Sequence, residues 1–497
     1  MNDKKMTLIE TKAGKIQGYS KDGVEIFKGI PYAEPPIGNL RFSPPVPKKS
    51  WDSVLEVKEY GPFAFQGHTL LEEYFGKLEP ESEDCLFLNI WTPATDNKKR
   101  PVMFWIHGGA FIMGGGGDPL YNGSVLAKRG DVVVVTINYR LGAFGYSYVP
   151  GNTANVGQMD QILALEWVKD NIELFGGDPG NVTIFGESAG GYAVLTLSVM
   201  PAAKGLFHRV IAQSAPFINP KVSKKHTKGV MRLLNIKGGD IEAFRKVQPE
   251  KIIDAQNKYL EKVNSAMEFR PLIDGESLPI HPLKVFQNGD CSNLDFMIGS
   301  NLDEAKMFTS MGVEFPDPEK AILAFLTMFG IDAGSSAKMY EIYKNAREGN
   351  LSTDPKDIAD AIITDFMFRI PTIRFLEVQS KHQKNTYNYL FTWESPGFDG
   401  KLGACHAIEL GFVFNSINNP GMEDFTGQGP EAELLSEKVM DAWIAFAHTG
   451  NPNHNGLPEW QPYDGEKRAT MLLGKECKAV NAIQDKERKA WDGLLEV

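Results

Sequence analysis

Asn181-Val-Thr-Ile-Phe-Gly-Glu-Ser-Ala-Gly-Gly191 carries the strongest fold signal in the chain. Val182 to Phe185 is a short run of β-branched and aromatic residues. The turn residues Gly186-Glu187-Ser188-Ala189-Gly190 follow at once, and the apolar stretch Tyr192 to Met200 reads as a buried helix. Strand, sharp turn and helix in that order are the setting in which Gly-x-Ser-x-Gly forms a nucleophile elbow. Glycines at both flanks let the backbone fold tightly enough to hold a serine hydroxyl above the sheet. Ser188 is therefore the candidate nucleophile. Taken alone the pentapeptide also fits an ordinary turn, and the rest of the chain has to decide.

Outward from the elbow, strands and helices alternate. Glu83 to Trp91 reads as a strand. Pro101-Val-Met-Phe-Trp-Ile106 is a continuous apolar run of the kind found in a sheet covered on both faces, and Asp131 to Arg140 holds another buried strand. A helix is predicted from Gln158 to Phe175, with Leu165, Val168, Ile172 and Phe175 at helical spacing and Gly176-Gly177-Asp178-Pro179 as its stop. This alternation predicts an α/β fold with a mostly parallel central sheet and helices on both faces. Residues 7 to 30 read as a small antiparallel meander, and the Pro-rich stretch from Gly29 to Pro45 as an ordered loop without helix. Phe207 to Ser214, Leu294 to Ser300 and Thr386 to Trp393 read as further strands, interrupted by helical insertions at about 220–290 and 317–382. No repeat or low-complexity linker marks a boundary, so residues 1–497 are taken as one domain.

Composition limits the function classes. The chain of 497 residues has 52 Lys plus Arg against 63 Asp plus Glu, a net charge of −11, the wrong sign for a nucleic-acid binder. No apolar stretch follows the lysines near the amino terminus, and no run approaches the roughly 18 residues of a membrane span, which points to the cytoplasm. The four cysteines, Cys85, Cys291, Cys405 and Cys477, are widely spaced, with no pair suggesting a metal site.

An elbow serine needs a base, an acid to orient that base, and donors for the oxyanion. Around such an elbow the partners follow in the order serine, acid, histidine, on loops after later strands. That order excludes His68 and His107 as the base. His406, in the loop Gly403-Ala-Cys-His-Ala-Ile-Glu-Leu soon after the last clear strand, is the candidate, and Asp303 and Glu304 both satisfy the acid's position. His107 reads as a structural hydrogen-bonder, and Arg140 with Asp160 as a structural ion pair.

These residues identify a resemblance. The chain resembles, over nearly its whole length, the type B carboxylesterase and cholinesterase family of α/β-hydrolases, most nearly its bacterial para-nitrobenzyl-esterase-like members. Phe175-Gly-Gly with Gly186-Glu-Ser-Ala-Gly matches the family's serine signature. Glu83-Asp-Cys-Leu-Phe-Leu-Asn-Ile-Trp-Thr-Pro93 is similar to the second signature, with Phe87 where Tyr or Thr is usual. Gly29-Ile-Pro-Tyr-Ala-Glu-Pro-Pro, Asn138-Tyr-Arg-Leu-Gly and Thr449-Gly-Asn-Pro-Asn453 also look like family blocks. The resemblance implies Glu304 as the triad acid and His406 as the base. It implies Gly109, Ala110 and Ala189 as the oxyanion-hole amides, with Glu187 and Ser214 behind the triad.

Departures from the family pattern carry information as well. The cysteine matching Cys85 closes a disulfide in secreted members, but its partner position here is Ala64, so a free buried thiol is expected. The loop 65–84 holds no tryptophan, which argues against choline recognition. The implied activity is hydrolysis of short to medium acyl or aryl esters through an acyl-serine, by a monomer that needs no metal or organic cofactor. Two other readings compete. A lipase would need a lid, and no amphipathic segment reads as one; a non-catalytic recognition protein of this fold would lack the nucleophile. Met307, Phe308, Met311, Phe325, Met328, Phe329, Phe366, Met367 and Phe368 either line an apolar gorge or pack the core.

Overall fold

Alternation between apolar and polar residues at the amino terminus builds the expected meander: β1 (Met6–Glu10), β2 (Lys15–Lys21) and β3 (Val24–Pro31) pair antiparallel. The computed structural model describes residues 6–66, 80–216, 225–265, 267–310, 317–349 and 351–495. The Pro-rich stretch after β3 is a loop with one short 3-10 turn at Gly38–Leu40, where the sequence predicts no helix. Two short strands, β4 (Leu55–Glu56) and β5 (Phe63–Ala64), follow, then β6 (Glu81–Ser82) and β7 (Phe87–Thr92). β7 starts four residues later than the sequence suggests, because the backbone just before it turns on itself: the Cys85 N–H donates to the Glu83 carbonyl at 3.0 Å and the Phe87 N–H to the Cys85 carbonyl at 2.9 Å.

The remaining strands are β8 (Arg100–Ile106), β9 (Val133–Ile137), β10 (Gly177–Glu187), β11 (Arg209–Gln213), β12 (Asp295–Asn301), β13 (Thr386–Phe391), β14 (Ala469–Leu473) and β15 (Lys478–Asn481). β13 is not the last strand, as the sequence reading has it: β14 and β15 follow. The chain divides into two compact units. The first comprises Met1–Ala212, Pro220–Leu294 and Ala447–Thr449, and the second Gln213–Asn219, Asp295–Phe446 and Gly450–Val497.

In the first unit the strands run in the order β1-β2-β3-β7-β9-β8-β10-β11. β9, β8 and β10 are parallel, with Val102 opposite Val133 on one side and Val182 on the other, while β7 pairs β9 antiparallel. Every residue of β8 is buried, as its unbroken apolar run requires of a central strand. The predicted helix forms as Val156–Asn171 with a 3-10 turn over Ile172–Phe175, and Gly176 at φ 74° ends it. Leu165, Val168, Ile172 and Phe175 are all buried. Asp160 of that helix meets Arg140 through two side-chain bonds of 2.7 and 2.8 Å, both residues buried. The first insertion folds into short helices, chiefly Lys225–Leu233 and Pro249–Val263.

In the second unit β12, β13 and β14 are parallel and β15 closes the edge antiparallel. Its insertion is helical over Pro318–Met328, Ala333–Arg347 and Pro355–Thr364. A π turn at Asp365–Arg369 then leads into Ile370–Gln379. The aromatic and methionine residues of this insertion divide. Met307 and Phe368 are buried, whereas Phe308, Met328 and Phe329 are exposed; Met311 lies outside the described residues.

Candidate active site

Two glycines force the shape of the elbow. A Cβ on Gly190 would sit 2.0 Å from the carbonyl oxygen of Ile106, and one on Gly186 would sit 2.6 Å from the backbone of Gly190. Neither position can carry a side chain without moving β8 or the turn itself. Between them Ser188 takes φ 54° and ψ −120°, a region that costs a non-glycine residue of order 1–3 kcal/mol and persists only where the surroundings hold it. The helix that follows, Ala189–Leu197, starts earlier than the expected Tyr192, and the Tyr192 N–H donates to the Ser188 carbonyl at 2.9 Å. Ala189, as the first helical residue, has an N–H with no acceptor inside its helix.

The strip His107-Gly-Gly-Ala-Phe111 lies against this elbow. A Cβ on Gly108 would be 2.8 Å from Glu187 Oε2 and 3.1 Å from Ser188 Cβ, so only glycine lets the strip approach so closely. Gly109 (φ 100°), Ala110 (φ 53°) and Phe111 (φ 62°) all have positive φ, which turns the strip sharply. The Gly109 carbonyl accepts from Ile112 and Met113 at 2.9 and 3.0 Å, while no described residue accepts from the N–H of Gly109 or Ala110. His107 is buried. Its Nδ1 donates to the Gly108 carbonyl at 2.8 Å, its ring stacks on Tyr139 at 4.4 Å, and the Tyr139 hydroxyl donates to its carbonyl at 2.9 Å. Burial pulls its imidazole down to about 4, so it stays neutral and works as a structural strut.

In the second unit β12 ends at Asn301 and delivers the acidic pair. Glu304 is fully buried; its Oε1 accepts the Asn301 N–H at 2.7 Å, and its Oε2 lies 2.5 Å from His406 Nδ1. A carboxylate there makes Nδ1 the protonated nitrogen and leaves the lone pair on Nε2, the tautomer a general base needs. Asp303 is occupied elsewhere: it pairs with Lys306 at 3.1 Å, and its carboxylate accepts the Ala404 N–H at 3.0 Å. It shapes the loop that carries His406 without touching the imidazole. The rings of Phe308 and Phe368 stand 5.3 and 4.9 Å from that of His406. Ser214 is buried at φ 46° with its N–H on the Gly299 carbonyl at 2.8 Å, and Glu187 is buried in the elbow's unit.

Glu409 escaped the sequence reading. It is fully buried, accepting from Asn301 Nδ2 at 2.7 Å and from Gln213 Nε2 at 3.1 Å. Burial, and next the charge of Glu304, hold its carboxyl above the usual range. Its signal was present: a lone acid inside the apolar run Ile408 to Phe414 is out of place unless something binds it. None of Cys85, Cys291, Cys405 and Cys477 is in a disulfide, and Cys85 is buried as a thiol, as expected. Residues 67–79 of the loop 65–84, with His68, lie outside the described residues. Among the described residues no group of His, Cys, Asp and Glu could hold a metal ion, and no helix is long and apolar enough to cross a membrane.

The sequence profile of the Carboxylesterase family matches residues 5–491. The chain belongs to the carboxylesterase family. Para-nitrobenzyl esterase of Bacillus subtilis (strain 168) is 36% identical over 97% of this chain and 98% of its own length. Carboxylesterase 1D of Rattus norvegicus is 33% identical over 98% of this chain and 93% of its own. A solved thermophilic PNB esterase superposes with a TM-score of 0.88 at 34% identity, covering 97% of this chain and 99% of that one. This carboxylesterase is thus a carboxylic ester hydrolase with the α/β-hydrolase fold.

Proposed function

We propose that the two units act as one α/β-hydrolase domain that cleaves short to medium acyl or aryl esters through an acyl-serine intermediate. The observation that carries this reading is the 2.5 Å contact between Glu304 Oε2 and His406 Nδ1, which prepares His406 Nε2 as a base. His406 takes the proton of Ser188, and the Ser188 oxygen attacks the ester carbonyl. The amides of Gly109, Ala110 and Ala189 hold the negative oxygen, and the C–O bond breaks as His406 protonates the departing alkoxide. Water, deprotonated by the same imidazole, then attacks the acyl-serine and releases the acid and the free hydroxyl. Each amide donor is worth roughly 3–4 kcal/mol at such an oxyanion. Glu187 and Ser214 steady the histidine and do not react.

The name of the Bacillus relative, a para-nitrobenzyl esterase, supports benzyl and aryl esters as substrates, and the acyl-serine chemistry needs no metal or organic cofactor. The free thiol of buried Cys85 supports a reducing compartment, and we place the enzyme in the cytoplasm. The test is initial rates on p-nitrophenyl esters from acetate to palmitate below their solubility limits, with Ser188→Ala beside the wild type. Activity that falls about 10⁶-fold in the variant supports the acyl-serine. A rate that jumps above the solubility limit at long chains would move the reading to a lipase. A variant that keeps full rate would overturn it.

A further inference from the structure

We propose that a cavity in the second unit, walled by Arg369, Arg468 and Arg488, binds a small monovalent inorganic anion of the chloride class. The cavity lies against β12, β13 and β14, under the helix Ile370–Gln379 and the segment after β15, and has a volume of about 20 Å³. A water needs roughly 10–15 Å³, so the space suits one small ion or one to two waters and excludes phosphate or any organic acid.

Three hydroxyls line this cavity without a hydrogen-bond partner among the described residues: Ser300 Oγ, Thr372 Oγ1 and Tyr463 Oη, on residues only 1%, 5% and 3% exposed. Buried polar groups are rarely left unmade, and three around one space point to an occupant. The carboxylates that partner the arginines stand outside it. Asp365 takes Arg369 at 2.6 and 2.5 Å, Glu377 takes Arg468 at 3.3 Å, and Asp485 takes Arg488 at 2.8 Å. None of these acids lines the cavity. Arg369 also donates to the Ile483 carbonyl at 3.4 Å and Arg488 to Asp492 at 2.9 Å, so the cavity is lined by three positively charged arginines and by three unpartnered hydroxyls that can donate, beside Asn388 and Thr470. An anion can accept from all three hydroxyls and is favoured by the positive charge of the arginines, whereas a water gains nothing from that charge and would use the hydroxyl oxygens as acceptors. Because each arginine already has a carboxylate, the binding is weak.

The cavity touches what holds the reactive groups. Ser300 precedes Asn301, which binds both Glu304 and Glu409, and Arg369 follows Phe368, whose ring packs on His406. An ion there braces the end of β12.

Crystals of the full chain grown with sodium bromide, with data at the bromine edge, test the site. They are paired with thermal unfolding in chloride and in gluconate at equal ionic strength. The expected results are an anomalous peak in the cavity and a saturable rise in melting temperature of roughly 1–3 °C with chloride, lost in Thr372→Val. Arg468→Gln gives the same reading if Thr372→Val does not fold. No peak, meaning water only, overturns the proposal. A peak with equal melting in both salts marks an adventitious ion only and also overturns it. A chloride shift of full size in the variants places the effect elsewhere and overturns it too.

Discussion

Replacing Glu304 by glutamine keeps shape and volume and changes one property, the ability of both carboxylate oxygens to accept. In the wild type Oε1 takes the Asn301 N–H at 2.7 Å and Oε2 faces His406 Nδ1 at 2.5 Å, so both acceptors are in use. Glutamine offers one acceptor and one NH₂. If the NH₂ faces His406, it donates to Nδ1, drives the ring proton to Nε2 and abolishes the base. If it faces Asn301, two donors meet in a fully buried site, at a cost of about 1–3 kcal/mol, and the imidazolium loses its counter-charge. The first arrangement avoids the clash and dominates. Loss of the correct tautomer at a serine triad lowers kcat about 10⁴-fold, equivalent to ~5.4 kcal/mol of barrier. The assay is kcat and KM on p-nitrophenyl butyrate from pH 6 to 10, corrected with Ser188→Ala as background. KM should stay near the wild-type value while kcat falls. Glu304→Gln retaining more than about a tenth of wild-type kcat would show that Glu304 does not set the tautomer of His406. So would Asp303→Asn falling as far, since among the described residues Asp303 is bonded to Lys306 and to the backbone of the histidine loop and not to His406.

His107→Asn should lower kcat by no more than about 10²-fold and leave the pH profile unshifted, whereas His406→Asn should cost at least 10⁴-fold; a reversed order in the same assay would exchange their roles. Gly190→Ala drives a Cβ to 2.0 Å from the Ile106 carbonyl, so at least about 3 kcal/mol should be lost, read as the shift in the urea midpoint with Ser188→Ala as a control of unchanged stability. Asp96 is held down to about 2, chiefly by its hydrogen bonds to Arg100. Unfolded it binds a proton near pH 4, so its contribution is complete above about 4 and is lost as pH falls towards 2. Asp96→Asn should flatten the stability slope in that window, and less so at high salt because the carboxylate is half-exposed. An unchanged slope in acid titrations followed by fluorescence would contradict this.

Much of this molecule is set by interactions within a few residues, and that part was readable from the chain. Gly186 and Gly190 flank Ser188 because no side chain fits between the elbow and β8, a local packing constraint that shows as a motif. The unbroken apolar run 101–106 is buried on both faces because its neighbours are parallel strands. The helix stop at Gly176 follows from its left-handed φ of 74°.

Other features depend on residues far apart in sequence and emerge only once the chain is packed. Asp303 and Glu304 are adjacent and chemically alike; which one meets His406, 102 positions away, is decided by how the turn after β12 presents them. β14 and β15 went unread because two short strands after a polar stretch carry little periodicity, and β14 pairs with β13, some eighty residues upstream, while β15 pairs back onto β14 at the edge. Glu409 was visible as a misplaced charge, but its partners Gln213 and Asn301 come from the ends of two other strands. The elbow, the alternation of strand and helix, and hence the fold class are legible in the chain alone, because glycine stereochemistry and hydrophobic period act over a few residues. The packed structure decided which acid serves the histidine and which buried polar groups stand behind it. Those choices depend on distances between strand ends that no local pattern encodes.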